Sequence, residues 1–403
     1  MSRNLIVFIC LLFSLTGFSQ TIKTSVVVVG ANSGAYAAAI QSAKSGVKTL
    51  LIDAKKFDAI VLSPVDRSLK AGIYADFIKR VDSLQKSPLK DNHTLSPEFT
   101  AQVFKSWTDT IKNLTVLPNA SITKIKKSGK GWDITLVHKE IKADILLDAT
   151  PGQTVAKMAG LVINKKTIST QAPVIYSDKK YRTSVAVTSG DKLYFKPVYL
   201  SSLVVPDIEN LVLAAPAGES LNILSGQAAG AIAAYCSFFK TTTNKLNVRV
   251  IQTELLTYNS RIIKFDDIHE SDSSMIAFQH IGVTGILKGK EENGKLLFMP
   301  QAPVSTEELK QPLRELYSRS QIWFLDNKTD KLTLNDALSL IKFVGSRGEE
   351  LNKEAEKGWK TSLRMNGSFD LKRVISRREL AILFDAYLQP YSVAVDLDGN
   401  IKT

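Results

Sequence analysis

The sequence of 403 residues predicts an α/β fold in two parts. Helices cover a mostly parallel sheet carrying a β-rich insert at about residues 161–205, and a mainly α-helical region follows from 246 to 403. Three observations predict it. Unalternated apolar runs lie within 25–29, 47–52, 142–152 and 210–218, as expected of strands covered on both faces. Alanine-rich segments with helical periodicity, 33–46 and 225–236, follow the first and last of them. The charge pattern then changes: 20–259 holds 30 Lys+Arg against 18 Asp+Glu, whereas 260–403 holds 21 of each.

Composition excludes several function classes. Hydrophobic residues at 44% and charged ones at 23% fit neither a disordered nor a fibrous chain. Two cysteines allow no disulfide scaffold and no cysteine-based zinc site, and no metal centre is expected. The net charge of +13 raises the question of an anionic partner. Its lysines are scattered without interleaved aromatics, so nucleic acid is not the expected partner.

Residues 1–19 read as a signal peptide: Arg3, an apolar run at 5–15, then the small residues Gly17 and Ser19. The run is too short to span a bilayer. Cleavage after Ser19 is expected, giving an exported protein, periplasmic or extracellular, with no transmembrane segment and with envelope association left open. Cys10 belongs to this leader, while Cys236 sits in an apolar helical pattern and reads as a buried structural thiol.

Residues 24–53 read as a βαβ unit. A buried strand ends at Gly30, a helix runs from Ser33 to the stop at Gly46, and a second strand ends at Asp53. This is the arrangement of a dinucleotide site: a tight turn, a helix N-terminus for phosphates and a carboxylate for a ribose diol. The three glycine positions of that fingerprint are filled by Gly30, Asn32 and Ala35. Alanine suits the third, whereas Asn32 puts a side chain where backbone should approach a pyrophosphate. Alanine-rich helices behind buried strands also occur where nothing is bound. Further on, 98–114 reads as a helix, 120–127 and 132–139 as short strands around a turn at 129–131, and 142–152 as a strand running into Ala149-Thr150.

Taken in order, the segments SPEFTAQVF, ADILLDATPGQTVAKMAGL, LVLAA and SGQAAGAIAA resemble the bacterial FAD-dependent oxidoreductase family, of the two-dinucleotide-binding-domain flavoprotein type, over about residues 24–240. The resemblance implies a Rossmann-like FAD-binding domain at 20–245. Gly30, Asn32, Ser33, Gly34 and Ala35 would cradle the FAD pyrophosphate, and Asp53 would bind the adenosine ribose. Ile122 would lie near adenine through its backbone, and Thr150 and Gly152 would flank the nucleotide. The helix beginning at Gly226, Gln227 and Ala228 would aim its positive end at the flavin ring, stabilising charge on the reduced form.

Departures accompany the likeness. The family's glycine pair is missing from 55–73, and 216–224 carries neither histidine nor arginine. Glu219 is the one ionisable group placed near the expected ring. His93, His138, His269 and His280 read as exposed or packing residues, so no catalytic acid or base is assigned.

Residues 265–309 resemble an S-layer-homology module, with fragments of the same ending at 332–341 and 374–387. Ser376-Arg377-Arg378-Glu379 approaches the quartet that contacts wall polysaccharide in such modules. A helical cap on the first domain is the preferred reading.

The expected function is an exported FAD-dependent oxidoreductase that moves hydride from a small organic substrate, acidic or carbohydrate-derived, to flavin. One alternative is a catalytically degenerate flavoprotein fold kept as a binding or scaffold protein. Another is an NAD(P)-dependent short-chain dehydrogenase, suggested by the 30–35 turn and by Tyr176 and Lys180. That family places its Tyr and Lys on one helix, which 176–190 does not resemble, and Tyr36 replaces the final glycine of its turn.

Overall fold

A computed structural model describes residues 20–53, 60–62, 68–85, 93–162, 175–189, 195–214 and 223–402. The leader, Glu219 and parts of 55–73 and of the insert lie outside the described residues. Among the described residues no helix is long and apolar enough to cross a membrane.

The first strand, β1 (Gln20–Val29), is followed by α1 (Ser33–Lys44) and β2 (Thr49–Asp53). Two short antiparallel strands, β3 (Ile60–Leu62) and β4 (His93–Leu95), flank α2 (Gly72–Gln85) in sequence. Helix α3 (Pro97–Thr108) starts on Ser96, whose hydroxyl accepts from Phe99 N–H, with Pro97 in the first turn. Then come β5 (Leu114–Pro118), β6 (Ile122–Ser128), β7 (Gly131–Leu136) and β8 (Lys139–Asp148), with α4 (Thr154–Met158) after a sharp turn. The described part of the insert contains an antiparallel pair, β9 (Ser184–Ser189) and β10 (Phe195–Tyr199). Strand β11 (Leu211–Leu213) precedes α5 (Ile223–Phe238) and α6 (Val248–Thr257).

The main sheet runs β5-β2-β1-β8-β7-β6, with β11 beside the end of β8. β5, β2, β1, β8 and β11 are parallel, and β6 and β7 are antiparallel additions. The valine run of β1 is buried on both faces as expected. Val26 and Val28 face the layer of α1, α2, α3 and α5, while Val27 and Val29 face Trp132, Ile134 and α4. This is the Rossmann-like α/β fold predicted from the sequence.

Differences from expectation have physical reasons. β1 begins five residues before its apolar run because residues 20–24 pair with Lys139–Ala143 of β8. The expected helix at 98–114 stops at Thr108, and Leu114 opens the edge strand β5, whose half-exposed residues give no buried run. Helix α2 was not expected, although Ile73, Tyr74, Phe77 and Val81 form its buried stripe. Cys236 is buried, and burial pushes its thiol pKa up to about 12.

Helices α1 and α5 run side by side in one direction and approach closely. A Cβ on Gly226 would stand 2.3 Å from the carbonyl oxygen of Gly34, and one on Gly230 would stand 2.3 Å from that of Ala38. The alanine and glycine content of both helices is what lets their backbones touch.

The C-terminal region contains α7 (Met275–Thr284), a hairpin of β12 (Lys290–Glu292) and β13 (Lys295–Leu297), then α8 (Thr306–Leu316), α9 (Ser320–Asp326), α10 (Leu334–Gly345), α11 (Glu350–Gly358) and α12 (Arg377–Leu383). The three fragments picked out by sequence stand in equivalent places. Each opens a helix with a capping box: Ser305 with Glu308, Thr333 with Asp336, and Ser376 with Glu379. The residues just ahead form a closed cycle of backbone hydrogen bonds. Val304 N–H donates to Ile375, Ile375 N–H to Leu332, and Leu332 N–H to Val304, at 3.0–3.2 Å.

The quartet nominated for polysaccharide contacts is engaged inside the protein. Arg377 is buried, donates to the carbonyls of Phe298 and Lys288 at 2.7 Å, and pairs with Glu308. Arg378 pairs with Asp272, and Glu379 with Arg373. The region is fastened to the first domain by two buried arginines. Arg249 donates to Val393 O and Arg182 O, and Arg182 donates to Gly399 O while pairing with Glu315.

Burial alone would raise the pKa of Asp272 and of Glu379, but their arginines and backbone donors override it and hold both below the usual carboxylate range. The stabilisation is therefore present above the unfolded values near pH 4 and is lost as pH falls through the lower, folded ones. Thermal unfolding should show a Tm that drops below about pH 4, and Glu379→Gln should lower the neutral Tm while flattening that drop.

Candidate functional site

The site is built at the C-terminal edge of the parallel strands. β2, β1 and β8 are neighbours there, ending at Asp53, Val29 and Asp148, which is where ligands of open α/β sheets bind. Gly30 has φ +154°, and a Cβ on it would meet the carbonyl oxygen of Ala149 at 2.9 Å and the Ala35 Cβ at 3.0 Å. Glycine and alanine at these two positions let the turn, the helix and β8 close on one another.

Asn32 resolves the main misfit of the fingerprint. Its side chain does not project outward. It caps α1 by accepting from Ala35 N–H at 3.0 Å, and its amide donates to Ala149 O at 2.6 Å. One residue thus closes the helix end and ties the turn to the strand beyond. The N–H groups of Ser33 and Gly34 find no acceptor among the described residues. They are the first-turn donors that an anion at a helix N-terminus uses.

Asp53 is partly buried at the end of β2, and the Tyr36 hydroxyl donates to its Oδ2 at 2.9 Å. Burial, with the Asp53 charge second, pushes the Tyr36 phenol well above its ordinary range, so it stays a donor. Sequence reasoning treated Tyr36 only as a missing glycine. Ala120 N–H reaches Asp53 O at 3.4 Å, and Ile122 starts β6 two residues later, with its side chain against the core.

Asp148 was also missed. It is buried, accepts from Thr150 N–H at 2.7 Å and from the Thr150 hydroxyl at 2.6 Å, and accepts Ala156 N–H at 2.6 Å on its other oxygen. Burial raises its pKa and these donors oppose the rise. Thr150 in turn accepts from Thr154 N–H at 2.9 Å. Its hydroxyl therefore shapes the turn into α4. Gly152 and Gln153 both take left-handed backbone, and space around Gly152 is open.

Gly226, Gln227 and Ala228 need a correction. The helix begins at Ile223, so these residues lie one turn inside it and are buried. Gly226 faces Gly34 of α1. The Gln227 amide donates to Gln41 Oε1 at 2.9 Å and its carbonyl accepts Ile73 N–H at 3.1 Å. They hold three helices together with their side-chain positions. The loop ahead, 215–222, lies outside the described residues.

Other candidates are not brought to this edge. His138 is exposed between β7 and β8, His269 bonds Ser271, and His280 bonds Asp385 at 2.7 Å while stacking on Tyr391. Only the backbone of His93 is described, in β4. Tyr176 and Lys180 do not share a helix. The Tyr176 hydroxyl donates to Gly282 O and burial raises its pKa, the reverse of what a dehydrogenase tyrosine needs. No group of His, Cys, Asp and Glu among the described residues could hold a metal ion.

The arrangement fits a nucleotide diphosphate: N–H donors at α1 with no acceptor among the described residues, the Asn32 side chain turned inward, and the Asp53 carboxylate held at the neighbouring strand end. Residues 25–172 match the family model described as FAD dependent oxidoreductase. Partial structural likenesses include a thioredoxin reductase of T. acidophilum, 20% identical over 32% of this chain and 36% of that one, with TM-score 0.21. Another is p-nitrophenol 4-monooxygenase PnpA of Pseudomonas putida DLL-E4, 16% identical over 36% and 44%, with TM-score 0.27. A third is bacillithiol disulfide reductase Bdr of Staphylococcus aureus, 14% identical over 32% and 38%, with TM-score 0.24. The chain spans less than half of each of these proteins, and overlays this partial carry no argument. No curated protein matches the chain. The Rossmann-like segment at 25–172 is thus similar to FAD dependent oxidoreductases, and FAD is the cofactor this match supports.

Proposed function

We propose that this chain is an exported oxidoreductase that holds FAD at the strand edge around Gly30, Ser33, Gly34 and Asp53. When bound, FAD supplies a two-electron acceptor for hydride from a small organic substrate, acidic or carbohydrate-derived. The chain's own part is to bind and orient. Ser33 and Gly34 N–H meet the diphosphate, Asp53 accepts from the ribose hydroxyls, and the insert of β9 and β10 forms the second wall of a substrate site. The observation that carries the reading is the α1 N-terminus. Its first donors meet no acceptor among the described residues, while the Asn32 side chain is drawn back by Ala35 and Ala149.

Ser33→Asp tests it. A carboxylate in the first turn repels a diphosphate; because Ser33 is buried, the helix-dipole gain competes with the cost of burying a charge, and thermal melting must first show the variant folded. FAD affinity, read by flavin fluorescence titration, should weaken by about tenfold or more. Unchanged affinity would remove α1 from the site.

A further inference from the structure

The edge of the sheet opposite the nucleotide turn carries a feature that the FAD reading does not use. Gly226 sits on Gly34 and Gly230 on Ala38, so the last turn of α5 reaches the level of Gly46, where β2 is about to begin. Thr243, just beyond, exchanges hydrogen bonds with Asn210 at the start of β11. Here Phe238 and Phe239 are 65% and 55% exposed. Their rings meet edge to face at 5.1 Å, and Phe239 packs at a tilt on Tyr235 at 4.8 Å. Two adjacent phenylalanines turned to water form a patch where a single exposed apolar residue would need no explanation.

Exposed lysines stand around the patch, with the Glu209 carboxylate among them, accepting from the Asn244 amide at 3.5 Å. Lys240 and Lys245 are exposed on the segment that leaves α5. Lys127 and Lys130 flank Asn210, whose amide donates to Lys130 O, and Lys127 reaches Glu209 O. Lys245 and Lys402 share a cleft of about 490 Å³ with Asp396 and Asp398. Asp396 is turned into its own loop, accepting from Asp398 N–H and from Asn400. The basic excess of the whole protein lies in this domain, 30 cations against 18 anions over 20–259.

We infer that this edge rests on an anionic lipid bilayer. Phe238 and Phe239 enter the headgroup layer, Lys240 and Lys245 meet lipid phosphates, and the nucleotide turn at the far edge stays open to solution. Aromatic side chains beside lysines suit that boundary, where one part is apolar and the other wet.

The test is co-sedimentation of the full chain with vesicles of phosphatidylglycerol and phosphatidylcholine, and with pure phosphatidylcholine. Wild type should bind the anionic vesicles more tightly, and less so as salt rises. F238S/F239S should lose at least about tenfold in vesicle affinity, and K240E/K245E should weaken binding to the anionic vesicles alone. All three proteins are purified after export, so the N-terminus is processed alike in each. Equal binding by wild type and F238S/F239S overturns the inference. So does a wild type that ignores vesicles but sediments as a dimer which F238S/F239S makes monomeric; that result assigns the patch to a second copy.

Discussion

Gly230→Leu will cost this protein most or all of its fold. A Cβ at Gly230 would stand 2.3 Å from the carbonyl oxygen of Ala38 and 2.9 Å from its Cα. Both are backbone atoms of a helix clamped against the sheet, so no flexible side chain can give way. Ordinary overpacking of a core costs about 1–3 kcal/mol. Here two helices must separate, and α1 also carries the nucleotide turn, so the cost should reach or pass the top of that range. The expected result is insoluble protein or a Tm lowered by ten degrees or more. Gly129→Ala is the informative companion. Its φ is +58° with nothing within 4 Å, so only backbone strain of about 1–2 kcal/mol is at stake. A Gly230→Leu protein as stable as Gly129→Ala would refute the α1–α5 contact.

Gln227→Leu should be nearly as damaging despite similar size. Gln227 and Gln41 are fully buried. A chain of hydrogen bonds runs from Ile73 N–H through Gln227 and Gln41 to Ser45 and on to Glu254. Leucine leaves the Ile73 N–H and the Gln41 carbonyl buried without partners, at about 1–3 kcal/mol each. Thermal melting should show the loss, and Gln41→Leu added to Gln227→Leu should cost less than the two singles together, because the second change removes an orphaned group. Strict additivity would mean the two amides do not bond.

The sequence exposes this architecture where burial is local and hides it where partners are distant. The valine run at 26–29 marks β1 because both faces of that strand are covered. Its extension back to Gln20 depends on pairing with Lys139, more than a hundred residues away. Asp53 is legible as a carboxylate closing a strand, but Tyr36 as its donor requires α1 to be laid on β2. Asn32 shows the limit most plainly. By spacing it is a failed glycine, and only the placement of Ala149 reveals a cap and a tether. Gly226 and Gln227 fit a cofactor signature by order in the chain, yet the space around them is filled by α1 and α2. The three C-terminal fragments are visible as repeats, whereas the cycle joining Val304, Leu332 and Ile375 exists only once they are folded together.

The most direct measurement is the visible absorbance spectrum of the purified protein. The account predicts flavin bands that stay with the protein through gel filtration, or that appear on refolding with FAD. A folded, colourless protein that gains no flavin bands under either condition would contradict it.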